Sequence, residues 1–166
     1  MSARLIVADA GPLIALAVGG VLPLSVGMLG GLFVPETVLQ EYTADPSAPG
    51  AAVIDGMVAS GGFQIIPQAS FAPLDAAFAQ GLGTAEIAVL CYAAAHALLA
   101  LIDERRARGV AERLRVPVIG IGAVLAQLKR QGLIDSVQAV LSAWKRHGYF
   151  VALAVQSDIL LRSGEG

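Results

Sequence analysis

The stretch "LALIDERRARGVAERLRVPVIGIGAVLAQLKRQGLI", residues 99–134, decides the fold class. Leu98–Ile102 is an uninterrupted apolar run, as expected of a strand buried on both faces. It stops at the acid pair Asp103-Glu104. A charged helix is expected from Glu104 to Arg115, then a strand over Val116–Ile119. Gly120 breaks that strand and a further helix runs to Gln131, where Gly132 ends it. A strand, a helix and a second strand in this order form a crossover unit, so the two strands lie parallel.

The same alternation continues on the N-terminal side. Arg4–Ala8 reads as a strand ending at Asp9, followed by apolar helical segments at Leu13–Val18 and Val21–Leu29. Leu32–Val34 is a short strand, and Pro35 suits the first turn of a helix reaching about Tyr42. Asp45–Gly50 is a loop, Ala51–Ala59 a helix and Phe63–Ile66 a strand. Pro73–Gly81 is a helical or loop connection, and Thr84 to about Ala95 an Ala-rich helix. Asp135 is placed to cap the next helix, which runs to His147, and Tyr149–Arg162 holds an extended piece and a small helix. The pattern predicts an α/β chain, a three-layer α/β/α sandwich with a mainly parallel central sheet. It predicts one domain over residues 1–166, with no internal repeat.

Composition excludes several classes. The chain is 56% hydrophobic and 14% charged, with a mean hydropathy of +0.71, which rules out a disordered polypeptide. One cysteine, Cys91, and two histidines, His96 and His147, exclude a disulfide framework and a typical zinc site. Cys91 sits mid-helix and reads as core. Ala10–Pro35 carries no charge, but prolines and glycines break it, and Ile87–Ile102 is too short to span a bilayer. Asp9 interrupts any signal-peptide core. No membrane association is expected, and a cytoplasmic location fits the cysteine usage. There is no phosphate-binding GxxxxGK[ST] loop, and Gly120-Ile121-Gly122 is only a fragment of a dinucleotide-binding loop.

The carboxylates carry the chemistry. Asp9 ends the first strand and Asp103 ends the strand Leu98–Ile102, with Glu104 directly behind. Glu86 lies in the first turn of its helix, and Glu41 lies one and a half turns into another. Taken singly, each has a bland explanation as a helix cap, a dipole partner or a solvated side chain. Together they recur at the carboxyl end of the sheet, where open α/β folds place their sites. Clustered carboxylates repel one another and so favour a bound cation or a retained proton. An all-oxygen donor set suits Mg²⁺ or Mn²⁺. A carboxylate-held divalent ion is the minimum for cutting a phosphodiester. Arg105, Arg106 and Arg108 follow at once and could meet backbone phosphates, or simply form a solvated face. Of the eleven Lys and Arg residues, all but Arg4 lie beyond residue 100, so the first part of the chain offers little basic surface.

Four segments, "LIVADAGPLIALA" from residue 5, "FVPETVLQEY" from 33, "LGTAEIAVLCYA" from 82 and the stretch quoted first, resemble the PIN-domain nucleases. The resemblance is to the VapC-like toxin group and its uncharacterised relatives. It runs from residue 5 to about 134, and the remainder matches loosely. It implies a metal-dependent ribonuclease whose catalytic acids are Asp9, Glu41, Glu86 and Asp103. Asp9, Glu86, Asp103 and Glu104 would hold the metal, and Arg105, Arg106 or Arg108 the RNA. It further implies a toxin blocked by a small antitoxin protein. One departure is Ala85, where the family usually has glycine. An alternative register places Thr84 at the third acid position, whereas the ungapped match keeps Glu86 there. The competing readings are a non-catalytic PIN-like metal- or RNA-binding module acting through a protein partner, and a structural partner. The apolar composition also predicts a homodimer.

Overall fold

The structure is a computed structural model that describes residues 5–43, 45–68 and 74–166, and of residues 42 and 43 the backbone alone. Arg4 and Pro73, the predicted starts of the first strand and of one connection, lie outside the described residues. Five strands form one all-parallel sheet: β1 (Ile6–Ala8), β2 (Leu32–Pro35), β3 (Phe63–Ile66), β4 (Leu99–Leu101) and β5 (Val118–Ile119). Their order is β3-β2-β1-β4-β5, with Val7 opposite Phe33 on one side and Ala100 on the other. β1 therefore lies at the centre, and all three of its residues are buried.

Strand order and chain direction fix the layers. From β1 to β3 the chain moves towards one edge, through α1 (Ala10–Val18), α2 (Leu22–Leu29), α3 (Glu36–Thr43) and α4 (Ala51–Ala59). It then returns past the starting strand to β4 and β5, through α5 (Ala76–Ala79), α6 (Thr84–His96) and α7 (Arg105–Arg113). Because parallel crossovers are right-handed, reversing direction sends the connecting helices to the opposite face. Accordingly, α6 covers β1, β2 and β4 and touches α7. On the other face α1 packs against α2, α4, α8 (Ile121–Arg130) and α9 (Val137–Arg146). The last helix, α10 (Leu153–Arg162), packs on α8 and α9. The result is the three-layer α/β/α sandwich expected from the sequence.

Val7, Ala8, Val34, Ala100, Leu101 and Ile102 are wholly buried in the sheet, and one hydrophobic cluster extends from Ile6 to Ile159. Two contacts lock α9 onto α1. The Trp144 indole N–H donates to the Ala15 carbonyl at 2.7 Å. Gly19 ends α1 beneath Val140, where an added Cβ would come within 2.6 Å of Val140 Cγ1. Among the described residues, no helix is long and apolar enough to cross a membrane.

Several local readings are corrected. Pro35 is the last residue of β2, in register with Ile66 of β3, and the helix opens one residue later at Glu36. α1 begins at Ala10, directly behind Asp9. Ser136, not Asp135, caps α9 by accepting from the Ala139 N–H. Cys91 is half-buried rather than a core residue.

Candidate active site

β1 and β4 are neighbours whose chains leave in opposite directions, so the carboxyl ends of these two strands form the switch point of the sheet. Asp9 follows β1 and Asp103 follows β4 by two residues. The other acids are brought in by helices. Asp9, Glu41, Glu86, Asp103 and Glu104 line one cavity of about 350 Å³, together with the Ala10-Gly11-Pro12 turn and Gly83.

Four of the five carboxylates meet a helix N-terminus. Asp9 Oδ1 accepts from the Ala10 N–H at 2.8 Å and caps α1. Glu86 Oε2 accepts from the Gly83 N–H at 2.8 Å at the start of α6. Glu104 Oε2 accepts from the Ala107 N–H at 2.7 Å and caps α7. Asp103 serves α8 rather than the adjacent helix: its Oδ1 accepts from the Ile121 N–H at 3.0 Å. The bland and the functional explanations thus coexist in the same side chains. Helix N-termini carry a partial positive charge, roughly half an elementary charge each, which helps to hold several anions at one place.

That compensation is incomplete. Burial pushes the Asp9 carboxyl up to about 6; the Ala10 N–H opposes this, and the charges of Glu86, Glu41 and Glu104 add to it. Asp9 is only 6% exposed. Glu41 is also raised, by desolvation and by the Glu86 charge. Desolvation raises Asp103 as well, opposed by the Ile121 N–H and by Arg108. A cavity in which carboxylates resist ionisation has a residual negative field that a cation would relieve.

The donor set is entirely oxygen, and each helix-end bond uses one of two carboxylate oxygens. Among the described residues, no three His, Cys, Asp or Glu side chains converge closely enough to hold an ion between them. An all-oxygen donor set would suit Mg²⁺ or Mn²⁺ better than zinc.

The three arginines separate. Arg108 lies beside Gly120 and Asp103, and its charge favours ionised Asp103. Arg106 donates to the Gly81 carbonyl at 3.0 Å, tying α7 to the turn before α6. Arg105 is exposed on the first turn of α7. Thr84 stands at the first position of α6, and Glu86 is the α6 residue that lines the cavity.

A family model described as a PIN domain, DUF3368, matches residues 5–165. The chain belongs to the PIN-domain family. The PIN domain is in general a nuclease-type fold, and the match continues well past residue 134, where sequence resemblance faded. No curated protein matches the chain. In this PIN domain the segment after residue 134 supplies side chains that sequence reasoning missed. Tyr149 stands near Asp103, and desolvation followed by the Asp103 charge raises its phenol. The only sequence signal for this region was the Gly120-Ile121-Gly122 fragment. A Cβ on Gly120 would lie 2.8 Å from Asp103 Oδ1, so the glycine admits the carboxylate to the α8 N-terminus.

Proposed function

We propose that this PIN-domain protein is an endoribonuclease dependent on Mg²⁺ or Mn²⁺. The observation that supports the reading most is the meeting of Asp9, Glu41, Glu86, Asp103 and Glu104 on one cavity at the switch point of the sheet. Asp9, Glu86, Asp103 and Glu104 would hold the ion directly or through water. When bound, the ion would polarise a phosphoryl oxygen and offset charge on the leaving oxygen. Glu41, whose raised basicity suits proton abstraction, would orient the attacking water and take its proton. The water oxygen then bonds to phosphorus as the bond to the leaving ribose oxygen breaks. Arg108, beside Asp103, would hold a non-bridging phosphate oxygen, and Arg105 and Arg106 would meet flanking phosphates.

The resemblance to VapC-like toxins extends the reading to the toxin of a toxin–antitoxin pair, restrained by a small antitoxin protein. Exposed Phe150, Leu153 and Leu161, at 84%, 79% and 70%, support assembly as a homodimer. The alternative reading is a non-catalytic PIN-like metal- or RNA-binding module acting through a protein partner.

The test is cleavage of a mixed RNA pool with Mg²⁺, with Mn²⁺ and with EDTA, with Asp9→Asn beside the wild type. Metal-dependent cutting that vanishes in the variant supports the nuclease. Cutting unchanged in Asp9→Asn means the site is elsewhere. Ion binding without cutting favours the module.

A further inference from the structure

Helices α8 and α10 frame a second cleft, of about 410 Å³. Asp103 lines both this cleft and the acidic cavity, so the two lie on either side of one residue. Arg108 lines the cleft beside Asp103, with its guanidinium next to Gly120. Val155 and Ile159 of α10 supply an apolar wall. Tyr149 lies on another side, its ring edge-on to Trp144 at a centroid distance of 5.5 Å. The Asp158–Arg162 ion pair, at 2.8 Å, lies along α10 beside that wall.

The glycine fragment, too short for a dinucleotide loop, has a use here. A Cβ on Gly122 would come within 3.3 Å of Ile159 Cγ1, so Gly122 lets α8 and α10 approach closely. Ala123 and Ala154, both exposed, keep the cleft open between them.

The lining selects a ligand class. A purely apolar ligand would take water from Arg108 and Asp103 and offer their charges no polar group in return, which is costly. A small free anion would meet Asp103 and Asp158 and gain nothing from the apolar wall. A flat, uncharged ring joined to a phosphate satisfies both ends: the ring packs on Val155 and Ile159, and the phosphate reaches Arg108. The volume lies within the usual range of small-molecule pockets, about 300–1,000 Å³.

We propose that the α8–α10 cleft is a one-nucleotide subsite, which seats the ribonucleoside next to the phosphate at the acidic cavity. Its role in catalysis rests on the nuclease reading, but nucleotide binding there does not.

Trp144 is the only tryptophan in the chain and lines the cleft, so its emission reports occupancy. The probes are the four ribonucleoside 5′-monophosphates with Mg²⁺, titrated into the full chain. A saturable emission change is expected for at least one in the wild type, and it is retained in Asp9→Asn. Ala154→Phe should weaken it about tenfold or more, since an exposed α10 position can carry a ring that fills the cleft. Val155→Phe is the second variant, and unchanged melting of either confirms folding. No saturable change in the wild type overturns the subsite. So does wild-type affinity in both folded Phe variants. Loss in Asp9→Asn with retention in Ala154→Phe would place the nucleotide on the acids instead and also overturn it. Nucleotide binding that obeys these rules without any RNA cutting would keep the subsite and remove the nuclease reading.

Discussion

Asp9→Asn should make the metal-free protein more stable while disabling its site. Burial and three neighbouring carboxylates lift the Asp9 carboxyl from the ordinary 3.8 to about 6. At 1.36 kcal/mol per tenfold, ionising it costs about 3 kcal/mol more in the folded protein than in the unfolded chain. The sign follows from proton binding. Between 3.8 and about 6 the folded state holds the Asp9 proton more tightly. Stability from this group is therefore complete below the unfolded value and is lost as pH rises through about 6. Between about pH 4.5 and pH 7.5 the wild type should lose about 2 kcal/mol from Asp9 alone. Asparagine keeps an oxygen to accept from the Ala10 N–H, and its amide group can donate to the surrounding carboxylates. In EDTA near pH 7.5 the variant should gain about 2–3 kcal/mol, or roughly 5–10 °C in melting temperature for a domain of this size. The gain should shrink by more than half near pH 4.5. Urea unfolding of both proteins at the two pH values measures it. Added Mg²⁺ or Mn²⁺ should stabilise the wild type and leave the variant unmoved. A variant no more stable than wild type in EDTA near pH 7.5, or a gap equal at both pH values, refutes the account of Asp9.

Gly120→Ala tests the seat of Asp103. Its backbone φ of −106° suits alanine, so the cost is the 2.8 Å approach to Asp103 Oδ1. It should lose about 1–3 kcal/mol in urea unfolding and bind Mn²⁺ more weakly by calorimetry. Glu165 anchors the C-terminal tail to α9, accepting from the Val137 N–H at 2.7 Å and the Gln138 N–H at 2.9 Å, with Lys129 at 2.7 Å. Desolvation raises it, but the bonds to Lys129, Val137, Gln138 and Ser136 together outweigh that, and the carboxyl falls to about 2. Its contribution is present above about pH 4.5 and is lost as pH falls towards 2; Glu165→Gln should cost about 1–2 kcal/mol after solvent screening, read by thermal melting at neutral pH. Light scattering after size exclusion should show a dimer that Leu161→Lys dissociates, and a monomeric wild type would end that proposal.

Much of the fold was legible because burial on both faces writes itself into composition. Val7, Ala100 and Leu101 lie in central strands and are fully buried, so their segments are apolar without alternation. Gly-Gly pairs and Gly132 marked helix ends, since left-handed backbone is easiest for glycine. Asp9 and Asp103 were conspicuous as the first charges after such runs. Pro35 was misplaced because it fits a helix start and a strand end equally well by local rules.

Other features depend on contacts between distant segments. Asp103 caps a helix that begins 18 residues later, because β4 and β5 are adjacent and parallel. Trp144 reaches Ala15 across 129 residues. Arg106 went to Gly81 while Arg108 went to Asp103, a division set by how α7 lies against α6 and β5. Tyr149 and the α10 wall of the second cleft carry no motif at all. The sequence by itself determined the strands, the helices and the acids at the strand ends, because these follow from local hydrogen bonding and from burial along a single element. Only the tertiary structure decided which acids share a cavity, which arginine stands beside Asp103 and where the second cleft opens, because the strand order β3-β2-β1-β4-β5 brings together residues that no local pattern links.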